Sequence, residues 1–300
     1  MSEGRPEDSG RDEPARPSRR KFLLRGLGLA GAAGAAAVAR TPVADAAETF
    51  RGMSFDRVER SNAVGPATGG APLALGIRRV IWSAQVASPV FALTFDDGPD
   101  PEFTSDVLDI LQQRGLKATF NMMGYNAEHH PELAKEVVAR GHEVSNHTWT
   151  HRDLAYEDES NTYLQISRGR KLITDVTGQV PRYFRPPRGE LTGSALRVAA
   201  SLDHDVLLYT LFGDVAGVEK PDAVRAYVVD HLKPGYIVAF HDGIGRGTFD
   251  RKAPGSRDLA ARRHAEIKAL PSILDDALHR GLRPVTATEL LEHEAKHSEL

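Results

Sequence analysis

The sequence predicts an α/β fold with a parallel sheet rolled toward a barrel, and three observations carry that expectation. From Val90 onward, short apolar runs alternate with helical patterns, the signature of βαβ units. Three helical segments end alike, in Arg114-Gly115-Leu116, Arg140-Gly141-His142 and Arg280-Gly281-Leu282. A Gly there suits a left-handed helix terminus, with a cation just before it favoured by the helix dipole. The third observation is that several strand-like runs end in carboxylates or imidazoles, and in α/β folds ligands bind at the strand C-termini.

The strand-like runs are Val90–Phe95, Lys117–Met123, His142–Asn146, Tyr183–Pro186, Asp205–Leu211, Gly235–His241 and Arg283–Thr286. Helical patterns separate them at about 104–114, 131–140, 160–177, 192–201, 221–232 and 262–280. Pro131 and Pro221 fall where a first helical turn tolerates proline. About seven strands in this order fit a barrel of the TIM kind, complete or incomplete, and a sheet with an open edge fits the same pattern.

Ahead of this core the chain has a different character. Residues 1–17 are polar and charged without periodicity and read as disordered. Ser18-Arg19-Arg20-Lys21-Phe22-Leu23-Leu24 precedes a Gly/Ala-rich apolar run from Gly26 to Ala39 and a small-residue site, Ala44-Asp45-Ala46. That order is the order of a secretory signal, and the paired arginines resemble the twin-arginine type. Residues 1–46 are therefore expected to be a cleaved export segment, with the twin-arginine translocon as a partner and a secreted or cell-envelope destination. The apolar run is too short and glycine-rich for a stable membrane span of about 20 residues. Residues 47–89 read as an extension or linker; within them, Arg78-Arg79-Val80-Ile81-Trp82 has the look of one strand.

Composition excludes several classes. The 300-residue chain carries 38 Lys+Arg against 41 Asp+Glu, a formal net charge of −3, so it lacks the basic stripe of a nucleic-acid binder. It has no Cys, hence no disulfides. Residues 47–300 are enough to bury a core without staples.

The chemistry collects at strand ends. Thr94-Phe95-Asp96-Asp97-Gly98-Pro99 delivers two adjacent carboxylates, which repel unless a cation or proton divides their roles. A metal ligand beside a general base is one such division. The strand ending in Asn146 runs into His147-Thr148-Trp149-Thr150-His151. Histidines four apart share a face if this is a helical turn, a spacing that lets two imidazoles meet one metal. Position 148 is Thr, not the Glu base of a zincin, so a base would come from elsewhere. One Asp and two His leave a position open for water, as in catalytic zinc sites. Phe184-Arg185-Pro186-Pro187-Arg188-Gly189 is a rigid loop whose backbone N–H groups suit an oxyanion and whose Arg185 suits a carboxylate. Ile237 to Phe240 is a buried strand delivering His241 where a general acid would stand.

These motifs, in this order and spacing, resemble the NodB-homology polysaccharide deacetylases of carbohydrate esterase family 4, over about Val90 to Leu291. The resemblance implies a distorted (β/α) barrel over residues 90–300, a divalent metal (zinc, with Co²⁺, Ni²⁺ or Mn²⁺ as alternatives) and removal of acetyl groups from an acetylated glycan. Peptidoglycan, chitin-like polymers and xylan are the substrates it brings into view, with N-acetyl sugars ahead of O-acetyl ones. Position by position it implies Asp97, His147 and His151 as metal ligands, Asp96 as base and His241 as acid. Arg185 would orient Asp96, and the backbone N–H of Arg188 would meet the oxyanion.

Two departures stand out. Arg188 occupies a place where the family usually has an aromatic, and Leu211-Phe212-Gly213-Asp214-Val215 keeps only the second Asp of the usual D-x-x-D-W. Asp214 is expected to hold the catalytic His in its useful tautomer. Trp149, Tyr125 and Phe212 are candidate sugar-facing aromatics. Two other classes fit part of the pattern: a glycan-binding pseudoenzyme, and a non-heme iron oxygenase, whose two-His-one-carboxylate triad would leave Asp96, Arg185 and His241 without roles.

Overall fold

The computed structural model describes residues 79–214 and 220–294. The export segment at 1–46, most of the 47–89 extension and Val215 lie outside the described residues. Among those described, nine strands form one sheet: β1 Val80–Ile81, β2 Val90–Asp96, β3 Thr119–Met122, β4 Glu143–Asn146, β5 Tyr183–Phe184, β6 Asp205–Leu207, β7 Leu211–Phe212, β8 Ile237–His241 and β9 Arg283–Val285. The order is β1-β6-β5-β4-β3-β2-β8-β7, with β9 also on β2, and every pairing is parallel.

The sheet curls because its two ends are tied by one short link. β6 and β7 lie on opposite branches of the strand order, yet the chain from Leu207 to Leu211 can span at most about 15 Å. Within that link, Leu208 donates its N–H to Ile81 O at 2.7 Å and Thr210 donates to Ile237 O at 2.9 Å. The result is the expected distorted barrel. The strand count exceeds the expected one because the Arg78–Trp82 run contributes β1 and the Asp205–Leu211 run divides into β6 and β7.

Helices α1 Thr104–Gln113, α2 Gly124–His129, α3 Pro131–Ala139, α4 Glu159–Thr177, α5 Gly193–Ser201, α6 Pro221–His231, α7 Pro254–His279 and α8 Ala287–Glu292 complete the described fold. The three Arg-Gly helix ends behave as expected, with Gly115, Gly141 and Gly281 at φ 62°, 80° and 76°. The segment Asp242 to Ala260, long and rich in Gly and Arg, reads from the sequence as a loop forming a lid or substrate rim, and part of it is folded. It makes a 3₁₀ turn at Gly245–Phe249 and enters α7 at Pro254. Its Gly, Ser and Arg content suggests a loop, but Pro at the first helical position pre-forms the turn.

Strand alternation separates two cores. On β2, Phe91, Leu93 and Phe95 face the helix layer, with Leu108, Phe120, Val238, Phe240 and Leu270. Val90 and Ala92 face the barrel interior, with Tyr183, Leu207, Ile237, Val285 and Leu290 of α8. Thr94 and Asp96 continue that inner row. The interior is thus apolar at the strand N-termini and polar at their C-termini. Phe95 stacks on Phe120 and Phe240, with ring centroids at 5.2 and 6.0 Å, each pair adding about 0.5–1.5 kcal/mol beyond area burial. This aromatic line fixes the register of the residues that follow it.

Candidate active site

Asp96 pairs in register with Asn121 on one side and His241 on the other. Each follows one of the three stacked phenylalanines, so all three point inward at the barrel mouth. Asp96 is buried, 4% exposed, and both its donors converge on one oxygen. Arg185 Nη1 and Asn121 Nδ2 each donate to Asp96 Oδ1 at 2.6 Å, which leaves Oδ2 to accept a proton. Arg185 crosses the interior from just beyond β5, fully buried. It donates also to Thr94 Oγ1 at 2.7 Å, Leu207 O at 3.0 Å and Leu208 O at 3.1 Å, so every guanidinium nitrogen is satisfied. Burial works to raise the Asp96 carboxyl, but Arg185, with His147 and His241, holds it below the usual carboxylate range.

Asp97 stands one residue past the strand in a left-handed conformation, φ 79°. Its Oδ1 lies 3.4 Å from His147 Nε2 and 3.2 Å from His151 Nε2, and this oxygen is buried with no hydrogen-bond partner. The three ligand atoms lie within 4.8 Å of one another. His147 Nδ1 meets Arg185 O at 2.8 Å; donating there fixes the tautomer and leaves the Nε2 lone pair toward Asp97. Burial opposes ionisation of Asp97, yet His151 and the contact with His147 hold its carboxyl far below the ordinary range. Burial pushes His151 down to about 4, over the pull of Asp97, so its imidazole is neutral. The Asp97 carboxylate, with its orphaned buried oxygen facing two imidazole nitrogens, fits a divalent cation.

The two histidines converge by a different local geometry than a helical turn. Residues 147–151 are a loop with Thr148 at φ 68° and His151 at φ 52°. Gly169 of α4 makes room for it, since a Cβ there would stand 2.7 Å from the Thr148 carbonyl carbon. Of the five non-Gly residues with positive φ among the described residues, Asp97, Thr148, His151 and Arg188 belong to this site. Backbone strain gathers where it is functional.

His241 closes β8 with its ring held by a carboxylate, but not by the expected one. Its Nδ1 lies 3.3 and 3.2 Å from the two carboxylate oxygens of Glu266, and the His241 backbone N–H donates to Glu266 Oε2 at 3.1 Å. Burial and Arg263 push His241 down, but Glu266, by charge and hydrogen bond, and Asp97 bring it above the ordinary value. Asp214 is instead taken by two arginines of α7, Arg262 Nη1 at 2.5 Å and Arg263 Nη1 at 2.7 Å. Its oxygens face those arginines, and His241 Nδ1 faces Glu266 instead. Asn121 and Glu266 complete the site without a motif in the sequence that marks them. The signal for the first is a lone Asn inside an apolar strand. For the second, Arg263 and Glu266 share the buried face of α7 with Leu270 and Ile273, and charges on a core face need partners.

Asp96, Asp97, His147, His151 and His241 open into one cleft of about 430 Å³. Tyr209 and Phe212 form its aromatic wall, edge to face at 5.9 Å, with Phe212 39% exposed. Arg188, at φ 60°, also lines it, and Tyr209 donates to Arg188 O at 3.3 Å. Two expected sugar-facing aromatics do not line it. Trp149 is turned to α4, where Arg168 covers its ring at 3.8 Å. Tyr125 stacks on His129 at 3.8 Å and meets Phe249 edge-on at 4.8 Å.

A distorted parallel barrel thus gathers at its mouth a carboxylate, two imidazoles, a pinned second carboxylate and a supported His, a donor set suited to hydrolytic chemistry. The chain belongs to the polysaccharide deacetylase family, the NodB-homology enzymes of carbohydrate esterase family 4. The family profile, described as polysaccharide deacetylase, matches residues 83–207. The chain is similar to a peptidoglycan-N-acetylglucosamine deacetylase of Bacillus cereus, 31% identical over 216 residues, covering 71% of this chain and 93% of that protein. It is also similar to a chitooligosaccharide deacetylase of Bradyrhizobium sp., 33% identical over 192 residues, covering 63% and 84%. Among solved structures, a peptidoglycan N-acetylglucosamine deacetylase in complex with 4-naphthalen-1-yl-N-oxidanyl-benzamide superposes with a TM-score of 0.62 at 30% identity, covering 73% of this chain and 96% of that one.

Proposed function

We propose that this protein is a metal-dependent deacetylase that removes acetyl groups from an acetylated glycan, N-acetyl sugars before O-acetyl ones. The observation that carries the reading is the division of labour between adjacent carboxylates. Asp97 presents an orphaned buried oxygen to two imidazoles, whereas Asp96 is locked through one oxygen by Arg185 and Asn121. In this reading Asp97, His147 and His151 hold the cation, with zinc the best match to one carboxylate and two imidazoles. Once bound, it supplies Lewis acidity to a water and to the acetyl carbonyl.

Asp96 Oδ2 takes a proton from the water that adds to the acetyl carbon. The resulting tetrahedral oxyanion is assigned to the backbone N–H of Arg188. His241, held through Nδ1 by Glu266, gives a proton from Nε2 to the leaving nitrogen as the C–N bond breaks. Tyr209 and Phe212 offer ring faces and edges to the sugar. The family's relatives make peptidoglycan and chitooligosaccharides the first substrates to assay.

Export through the twin-arginine signal at 1–46 is part of the proposal, and N-terminal sequencing of exported protein should begin at Ala47. Retention of the first 46 residues would refute cleavage there. The reaction itself is tested by acetate release from peptidoglycan, chitooligosaccharides and acetylxylan, with chelator and with zinc restored. Release that chelator abolishes and zinc restores is the expected result; release indifferent to chelator would overturn the metal role.

A further inference from the structure

Charge is divided unevenly over the cleft. Its floor holds Asp96 and Asp97, with Arg185 behind Asp96. Its wall carries Arg188, Arg246, Arg262 and Arg263 against one further carboxylate, Asp214. Arg262 and Arg263 are committed to that carboxylate, and Arg263 also donates from Nε to Gly243 O at 2.9 Å. Arg188 and Arg246 are different. The Arg188 side chain is 65% exposed, and its nearest carboxylate oxygen, on Asp153, is 3.5 Å away, longer than a good charge-assisted bond. Arg246 is exposed, and among the described residues its side chain has no ion-pair or hydrogen-bond partner.

This local positive excess is not a by-product of composition, because the chain as a whole has a formal net charge of −3. Guanidinium groups present planar forks that match a carboxylate bidentately. A cleft lined by one sign of charge also concentrates the opposite sign. A neutral sugar gains hydroxyl hydrogen bonds and ring contacts but draws nothing from the charge of two solvated guanidinium groups, which a carboxylate would engage directly.

We propose that the cleft takes an acetylated glycan bearing a carboxylate, on the sugar being deacetylated or its neighbour, with the Arg188 and Arg246 side chains as receptors. This inference rests on the deacetylase reading and sharpens its substrate class. The probe is an acidic N-acetylated oligosaccharide, assayed as the free acid and as its methyl ester with the zinc-loaded protein. The acid is expected to have about tenfold higher kcat/KM, carried by KM and shrinking as salt rises. Arg246→Gln should cut the acid-to-ester ratio several-fold, and Arg246→Lys should keep most of it.

An acid-to-ester ratio near one overturns the proposal, as does a ratio unchanged in Arg246→Gln combined with Arg188→Gln. Calorimetric binding of both forms to zinc-loaded Asp96→Asn protein reads the same ratio without turnover. Absence of acetate from either form therefore counts against the deacetylase reading alone, while the binding ratio still decides the carboxylate preference.

Discussion

Asp96 and His241 sit opposite one another on a single register line, yet they are held from different layers of the molecule. The base side is built within the barrel: Arg185 from beyond β5 and Asn121 from β3 both reach Asp96 through the interior. The acid side is built from outside it, because Glu266 reaches His241 from α7. The difference teaches where the protein is over-determined. A proposed base clamped inside the curled sheet is bound to the fold's stability, whereas a proposed acid supported by a helix is bound to where that helix lies.

The base side can be broken first. Arg185→Met removes the cation that compensates a buried Asp96, so unfolding free energy is expected to fall by about 3–5 kcal/mol. Chemical denaturation measures it, and Arg185→Met with Asp96→Leu should recover part of the loss, since an apolar pair leaves no orphaned charge. A single variant as stable as the parent would show that the pair contributes nothing.

The acid side predicts a smaller, pH-resolved effect. Glu266→Gln keeps the shape but removes the charge that raises His241. The rate is expected to fall about ten- to hundredfold, with the basic limb of the pH–rate profile moving to lower pH, because the acid must stay protonated to act. Asp214→Asn should move that limb less, since Asp214 acts on His241 by charge alone and without a hydrogen bond. If the limb follows Asp214 and ignores Glu266, the assignment of the support is wrong.

The smallest effect lies outside both halves. His142 accepts the Ala118 N–H at Nδ1, 3.3 Å, against the edge of Phe120. Burial, with Lys117 and Arg140 nearby, pushes it down to about 4. Since the folded value lies below the unfolded one, its contribution is complete above about pH 6.5 and is lost as pH falls toward 4. The full amount is about 3 kcal/mol. His142→Gln should accordingly lose less stability than the parent between pH 7 and 4.5 in denaturant titrations; an equal loss would contradict the assignment.

The sequence-to-structure comparison follows the same division. Asp96, Asp97, His147, His151, Arg185 and His241 are legible because strand ends are marked by apolar runs that stop in polar residues, and parallel strands gather those ends on one face. The loop geometry of 147–151 was not legible, since spacing of four suits a helical turn and a strained loop equally. Glu266 lies 25 residues from His241 on a helix whose first two turns read as loop, so no local motif joins them. Trp149 reads as a sugar platform only until Arg168, a turn away on α4, is seen to cover it. The curl of the sheet likewise depends on two backbone hydrogen bonds in a three-residue link, which composition does not encode.

The most direct test of the account is metal content and acetate-release rate measured on the same preparations of Asp96→Asn and Asp97→Asn protein. Asp96→Asn is expected to keep about one equivalent of zinc while losing the rate by about 10²- to 10⁴-fold. Asp97→Asn is expected to lose the metal and the rate together. An Asp96→Asn protein that retains full rate, or an Asp97→Asn protein that retains its metal, would contradict the division of labour on which the proposed function stands.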